Sequence, residues 1–179
     1  QSILNDVRKN GDSAVKKYER KFNGRKTSQL HVSEKEIKEA RSKIDNNFRD
    51  VIEGLIKYYG GAEDVLQHYL PKHDDIKASL QPGITRSFVP IPSVGCYIPG
   101  GQARYPSSVV MSVRPAKIAG VKRIVVVSPP GRDGKIDPLT IAAAKKCGAT
   151  EIYKVGGAQA IGALAYGTKS IPKVDKIVG

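Results

Sequence analysis

The feature that most constrains the fold is an alternation in residues 94–178, where short apolar runs are each followed by a glycine or proline turn and then by helical spacing. Residues 94–98 form one such run, ended by Pro99-Gly100-Gly101, after which Pro106 or Ser107 opens a helix carrying Val109, Val110 and Met111. Pro115 inside that stretch predicts a kink or a break. Residues 124–127 are wholly apolar, the pattern of a strand buried on both faces of a parallel sheet. Asp137-Pro138 then starts a helix that ends at Cys147-Gly148, with Lys145 and Lys146 in its last turn. Residues 152–155, a helix over 158–165 entered through Gly156-Gly157, and a final run over 176–178 complete the series. Strand and helix in this order predict an α/β fold with helices on the faces of a parallel sheet.

The first part of the chain follows a different pattern, because its apolar residues recur at three- and four-residue spacing: Ile3, Leu4 and Val7, then Ala14, Val15, Tyr18 and Phe22. Asp12 is expected to cap the second helix, and Ser33 with Glu36 forms a capping box for a third, whose inward face is Ile37, Ala40 and Ile44. A stripe from Phe48 to Tyr59 is expected to stop at Gly60-Gly61, with a separate helix over 62–69. The pattern changes near Gln81-Pro82-Gly83, after which Ile84, Arg86 and Phe88 alternate. The expected organisation is a mainly helical region, 1–83, and a sheet region, 84–179.

With 40% apolar and 26% charged residues, the chain of 179 residues has a globular composition. It lacks an 18-residue apolar run, so no membrane association is expected, and residues 1–20 lack the order of a signal peptide. A cytoplasmic location is the expectation, although opening on Gln1 rather than Met leaves room for residues lost upstream. Cys96 and Cys147 are read as small core residues. His31, His68 and His73 have no spacing that puts two imidazoles on one helical face, and are read as surface residues rather than metal ligands. The net charge of +13 is uneven: residues 1–90 carry 17 basic and 13 acidic side chains, residues 91–179 carry 13 and 4. The second part therefore favours an anion, either a phosphate-bearing ligand or nucleic acid, with general solubility as the plain alternative.

Ligands of such a sheet bind at the carboxyl ends of the strands, which singles out the loops 97–105, 128–134 and 155–159. Gly156-Gly157 would let a phosphate approach backbone N–H groups at a helix start, Gln159 would offer its amide to a ribose or ring edge, and Gly162 would let that helix approach the sheet. The spacing is not the dinucleotide fingerprint, so tight-turn glycines remain the alternative. Tyr97 is placed to stack on a nicotinamide or adenine ring, or to pack beneath its loop, and Arg104 to meet a phosphate or water. The second part holds four carboxylates, Asp133, Asp137, Glu151 and Asp175, and no histidine. No acid–base pair, nucleophile or metal set is assigned, so this chain alone is not expected to catalyse.

Several blocks resemble the histidinol dehydrogenase family: Val94-Gly95-Cys96-Tyr97-Ile98-Pro99-Gly100-Gly101, Tyr105-Pro106-Ser107-Ser108-Val109-Val110-Met111, the stretch 115–121, Val155-Gly156-Gly157-Ala158-Gln159-Ala160-Ile161, and residues 163–168 and 171–179. The first part agrees more loosely, through residues 7–12 and 32–37. Family members are longer, and the resemblance covers their amino-terminal portion. It implies incomplete Rossmann-like lobes, a homodimer, and a zinc-dependent, NAD-linked oxidation of L-histidinol through the aldehyde to L-histidine. It carries NAD contact onto Tyr97 and Gln159, and more weakly onto Pro99 and Pro129, with the zinc ligands and catalytic residues expected beyond Gly179. Gln102 and Arg104 depart from the small residues usual there, and Ser108 from a common Thr. A nucleic-acid-binding module has no recognition signature to support it, and a stand-alone nucleotide-binding, regulatory or dimerisation domain is the other alternative.

Overall fold

The computed structural model describes residues 2–24, 29–69, 89–100 and 104–179. Among the described residues four helices come first: α1 (Ser2–Asn10), α2 (Asp12–Asn23), α3 (Glu34–Ser42) and α4 (Asn46–Tyr69). They are followed by β1 (Ser93–Tyr97), α5 (Pro106–Ile118), β2 (Arg123–Ser128), α6 (Pro138–Cys147), β3 (Glu151–Lys154), α7 (Gly157–Tyr166) and β4 (Lys176–Val178). The expected division at residue 83 lies outside the described residues, as do Gln81-Pro82-Gly83, the run at Ile84, Arg86 and Phe88, and His73.

All strand pairs are parallel, in the order β3-β2-β1-β4. Strand β2 lacks polar alternation because helices cover both faces of the sheet. Ile124 and Val126 join a core with residues of α3, α4, α5 and α6, including Ile37, Ala40 and Ile52. Val125 and Val127 face the opposite way, into a second core with Val7, Ala14, Val15 and Leu164 of α1, α2 and α7. The helices of the first region thus supply part of both cores. Residues 30–32 also cover the outer edge of β3, where the Val32 N–H donates to Ile152 O at 2.8 Å and the Lys154 N–H to Leu30 O at 2.7 Å. His31 packs edge-on against Tyr153 there, rather than standing free on the surface.

The charge imbalance has a structural use. Glu36 of α3 pairs with Lys154 of β3 at 2.8 Å, Glu39 with Lys135 at 3.1 Å, and Glu53 of α4 with Lys146 of α6. Acidic groups of the first region therefore neutralise part of the basic second region and hold the two together.

Several local expectations change. The Ser33–Glu36 capping box forms as expected, and Asp137 caps α6 by accepting from the Leu139 N–H at 3.0 Å. Asp12, however, does not cap α2: Gly11 is the cap residue, and Asp12 accepts from the hydroxyl and N–H of Ser170 at 2.6 and 3.2 Å. Helix α4 runs straight through Gly60-Gly61 instead of stopping, and α5 stays one helix with Pro115 in its last turn. Gly162 faces α1, where a Cβ would meet Val7 Cβ at 3.2 Å, while the close approach to the sheet falls on Gly95, 2.8 Å from Leu164 Cδ1 by the same construction. Phe22 is 56% exposed, so the stripe of α2 is completed on its inner side by another residue.

That residue is Glu19, whose spacing from Val15 puts it in the same inward row. It is 0% exposed.

Candidate functional site

The strand order places β1 between β2, which follows it, and β4, reached by the long crossover through α7. This is the point where the winding of the sheet reverses, and an open α/β sheet forms its ligand crevice there, at the carboxyl ends of the strands. A depression of about 200 Å³ lies at that place, lined by Tyr97, Gly157, Ile161, Ile177, Val178 and Gly179.

Three loops meet around it. Tyr97 closes β1, and its hydroxyl accepts from the Gly157 N–H at 3.1 Å, which ties the ring to the start of α7. Pro129, just after β2, fills the space between the other two loops. A Cβ on Gly156 would fall 2.4 Å from Pro129 Cβ, and one on Gly100 would fall 2.7 Å from Ser128 Oγ and 3.2 Å from Pro129 O. These two glycines are therefore required by close packing, whereas Gly157 adopts φ +59°, a left-handed conformation that suits glycine. Of the expected site residues, Tyr97, Pro129 and Gln159 surround Gly156-Gly157, and Pro99 is exposed on its loop.

Gln159 is 2% exposed. Its Nε2 donates to Glu19 Oε1 at 2.8 Å, and the same oxygen accepts from the Gly156 N–H at 3.0 Å. The Gln159 Oε1 is buried and has no hydrogen-bond partner among the described residues. Buried polar atoms are satisfied in nearly all cases, so this oxygen calls for an explanation. The N–H groups of Gly156 and Gly157, expected to be open to a phosphate, are engaged by Glu19 and Tyr97.

Arg104 pairs with Asp137 Oδ2 at 3.1 Å at the start of α6. Both cysteines are buried, and burial pushes the Cys96 thiol up to about 12 and the Cys147 thiol to about 11. Neither is a nucleophile near neutral pH. Among the described residues, no three His, Cys, Asp or Glu side chains gather as a metal site. No helix among them is long and apolar enough to cross a membrane.

A parallel sheet in this order, covered on both faces and carrying an orphaned acceptor at its switch point, defines a Rossmann-like α/β protein with one ligand edge. The family is narrower. The histidinol dehydrogenase family model matches residues 1–179. Similar proteins include the histidinol dehydrogenase of Bacillus cereus strain ATCC 10987, 48% identical over 179 residues that cover 99% of this chain and 40% of that protein. That of Methanococcus maripaludis is 47% identical over 180 residues, covering 99% and 41%. The crystal structure of histidinol dehydrogenase from Elizabethkingia anophelis superposes with a TM-score of 0.89 at 31% identity, over 99% of this chain and 40% of that one. The chain belongs to the histidinol dehydrogenase family, and it spans about 40% of the length of these relatives.

Proposed function

We propose that this chain is the dinucleotide-binding part of a protein that oxidises L-histidinol, through the aldehyde, to L-histidine, and that the crevice between β1 and β4 receives NAD. The observation that carries this reading is the buried, partnerless Oε1 of Gln159 at the switch point, beside the tethered ring of Tyr97. These residues fit a dinucleotide. A ribose or amide donor answers the orphaned oxygen, the Tyr97 ring gives a flat surface for a heterocycle, and Gly157 leaves room for close approach.

When bound, NAD supplies the hydride acceptor for both oxidations. The residues described here bind and orient it: Tyr97 and Gln159 contact it, Pro129 holds the Gly100 and Gly156 loops together, and Pro99 borders the opening. Gln159, Pro99 and Pro129 carry no titratable group and the Tyr97 hydroxyl is tied to the Gly157 N–H, so proton transfer from the alcohol is assigned to other parts of the protein. Zinc belongs to the same reading as a family expectation, with its ligands expected beyond Gly179. A homodimer in the cytoplasm, acting on L-histidinol without nucleic acid or membrane, completes the proposal. Pairing of Arg104, Arg123, Lys135, Lys146 and Lys154 with carboxylates favours it over a nucleic-acid stripe.

The test is NADH formation from L-histidinol and NAD by the full-length, zinc-loaded protein. NADH and L-histidine are expected as products, and the absence of both would overturn the proposal.

A further inference from the structure

The direction in which Gln159 presents its amide has a cause in α2. Glu19 is fully buried, and its Oε1 lies between the Gly156 N–H and the Gln159 side chain, 3.0 and 2.8 Å away. A backbone N–H only donates and a carboxylate only accepts, whereas an amide does either, depending on which end faces its partner. Turned the other way, Gln159 would set oxygen against oxygen in a buried site. Glu19 therefore fixes the NH₂ end inward and leaves Oε1 facing the loop, 2.9 Å from where a Cβ on Gly157 would stand. Among the described residues no donor answers it there, and the nearby Gly157 N–H is held by the Tyr97 hydroxyl.

We infer that Glu19 is a positioning residue that sets Gln159 as an acceptor, so that this subsite selects a ligand group that donates, such as a ribose hydroxyl or an amide or amino N–H. A phosphate oxygen is rejected, since it would meet an acceptor with a buried carboxylate behind it, and the start of α7 is not the phosphate seat its glycine pair suggests. The inference rests on the dinucleotide reading and refines it by naming which part of the ligand sits at Gln159.

Calorimetric titration of the full-length protein with NAD tests it, with melting temperature measured alongside. Gln159→Met is expected to weaken NAD binding about tenfold, the scale of one buried hydrogen bond. Glu19→Met is expected to weaken it by a similar factor, and the double variant to bind no more weakly than either single one, because both remove the same contact. A purely structural Glu19 would lower the melting temperature without this non-additivity. Independent, multiplying losses, or wild-type affinity in Glu19→Met while Gln159→Met is impaired, would overturn the positioning role and leave the dinucleotide reading in place. Wild-type affinity in Gln159→Met would remove both. Should Glu19→Met not fold, Glu19→Gln decides: it keeps an acceptor oxygen and is expected to bind NAD within about threefold of wild type, whereas a tenfold loss at unchanged melting temperature contradicts the inference.

Discussion

At the scale of single residues, the site is held by contacts that leave little free volume. Gly156 has φ −128°, a conformation open to any residue, so its constraint is the 2.4 Å approach to Pro129. Gly156→Ala is expected to cost about 1–3 kcal/mol of stability by overpacking, read from denaturant unfolding, and to weaken NAD binding by separating the two loops. The buried thiols give a second expectation: Cys96 and Cys147 should resist alkylation at neutral pH in the folded protein and react once it is unfolded, as the raised values of about 12 and 11 require. A third concerns acid. The Arg123 guanidinium donates to both oxygens of Glu151, at 2.6 and 3.0 Å, and holds its carboxyl below the usual range. A depressed carboxylate stabilises above its unfolded value and loses that contribution as pH falls through the folded one. Glu151→Gln should therefore lower stability by about 1 kcal/mol at neutral pH, and the difference from wild type should shrink in acid. Glu19 escaped the sequence reading at this same scale. Its place in the row of Val15 was visible, but a charged residue in an apolar stripe is ordinarily solvated, and only its buried partners reveal its use.

At the scale of elements, the strongest local signals survive and the weakest are overridden by packing. The Ser33 box forms because both reciprocal bonds are available within four residues, and Ser33→Ala is expected to cost about 1 kcal/mol in thermal or chemical unfolding. The strands of the sheet were legible because each contains a short apolar stretch near turn residues, although β3 begins and ends on a charged side chain. Gly60-Gly61 did not stop α4, since glycine weakens a helix without forbidding it. Asp12 was misread because a side chain at a helix start can satisfy a distant loop as well as its own backbone, and Ser170 lies 158 positions away. The role expected of Gly162 falls to Gly95, because a glycine in the sequence identifies a close approach without saying which neighbour is close.

At the scale of the whole molecule, strand order was the main feature not readable from the chain. Alternation predicts parallel strands, but only the crossing of α7 to the far side of β1 puts β4 there and creates the switch point. The distribution of charge was visible too, yet its use in joining α3 and α4 to the second region depends on which lysines stand opposite Glu36, Glu39 and Glu53. The central claim is that the carboxyl edge between β1 and β4 receives NAD. Hydrogen exchange of the full-length protein with and without NAD tests it most directly. Slowed exchange is expected in residues 97–100, 129–131 and 156–161, and slowing confined to other segments, with these three unchanged at saturating NAD, would contradict it.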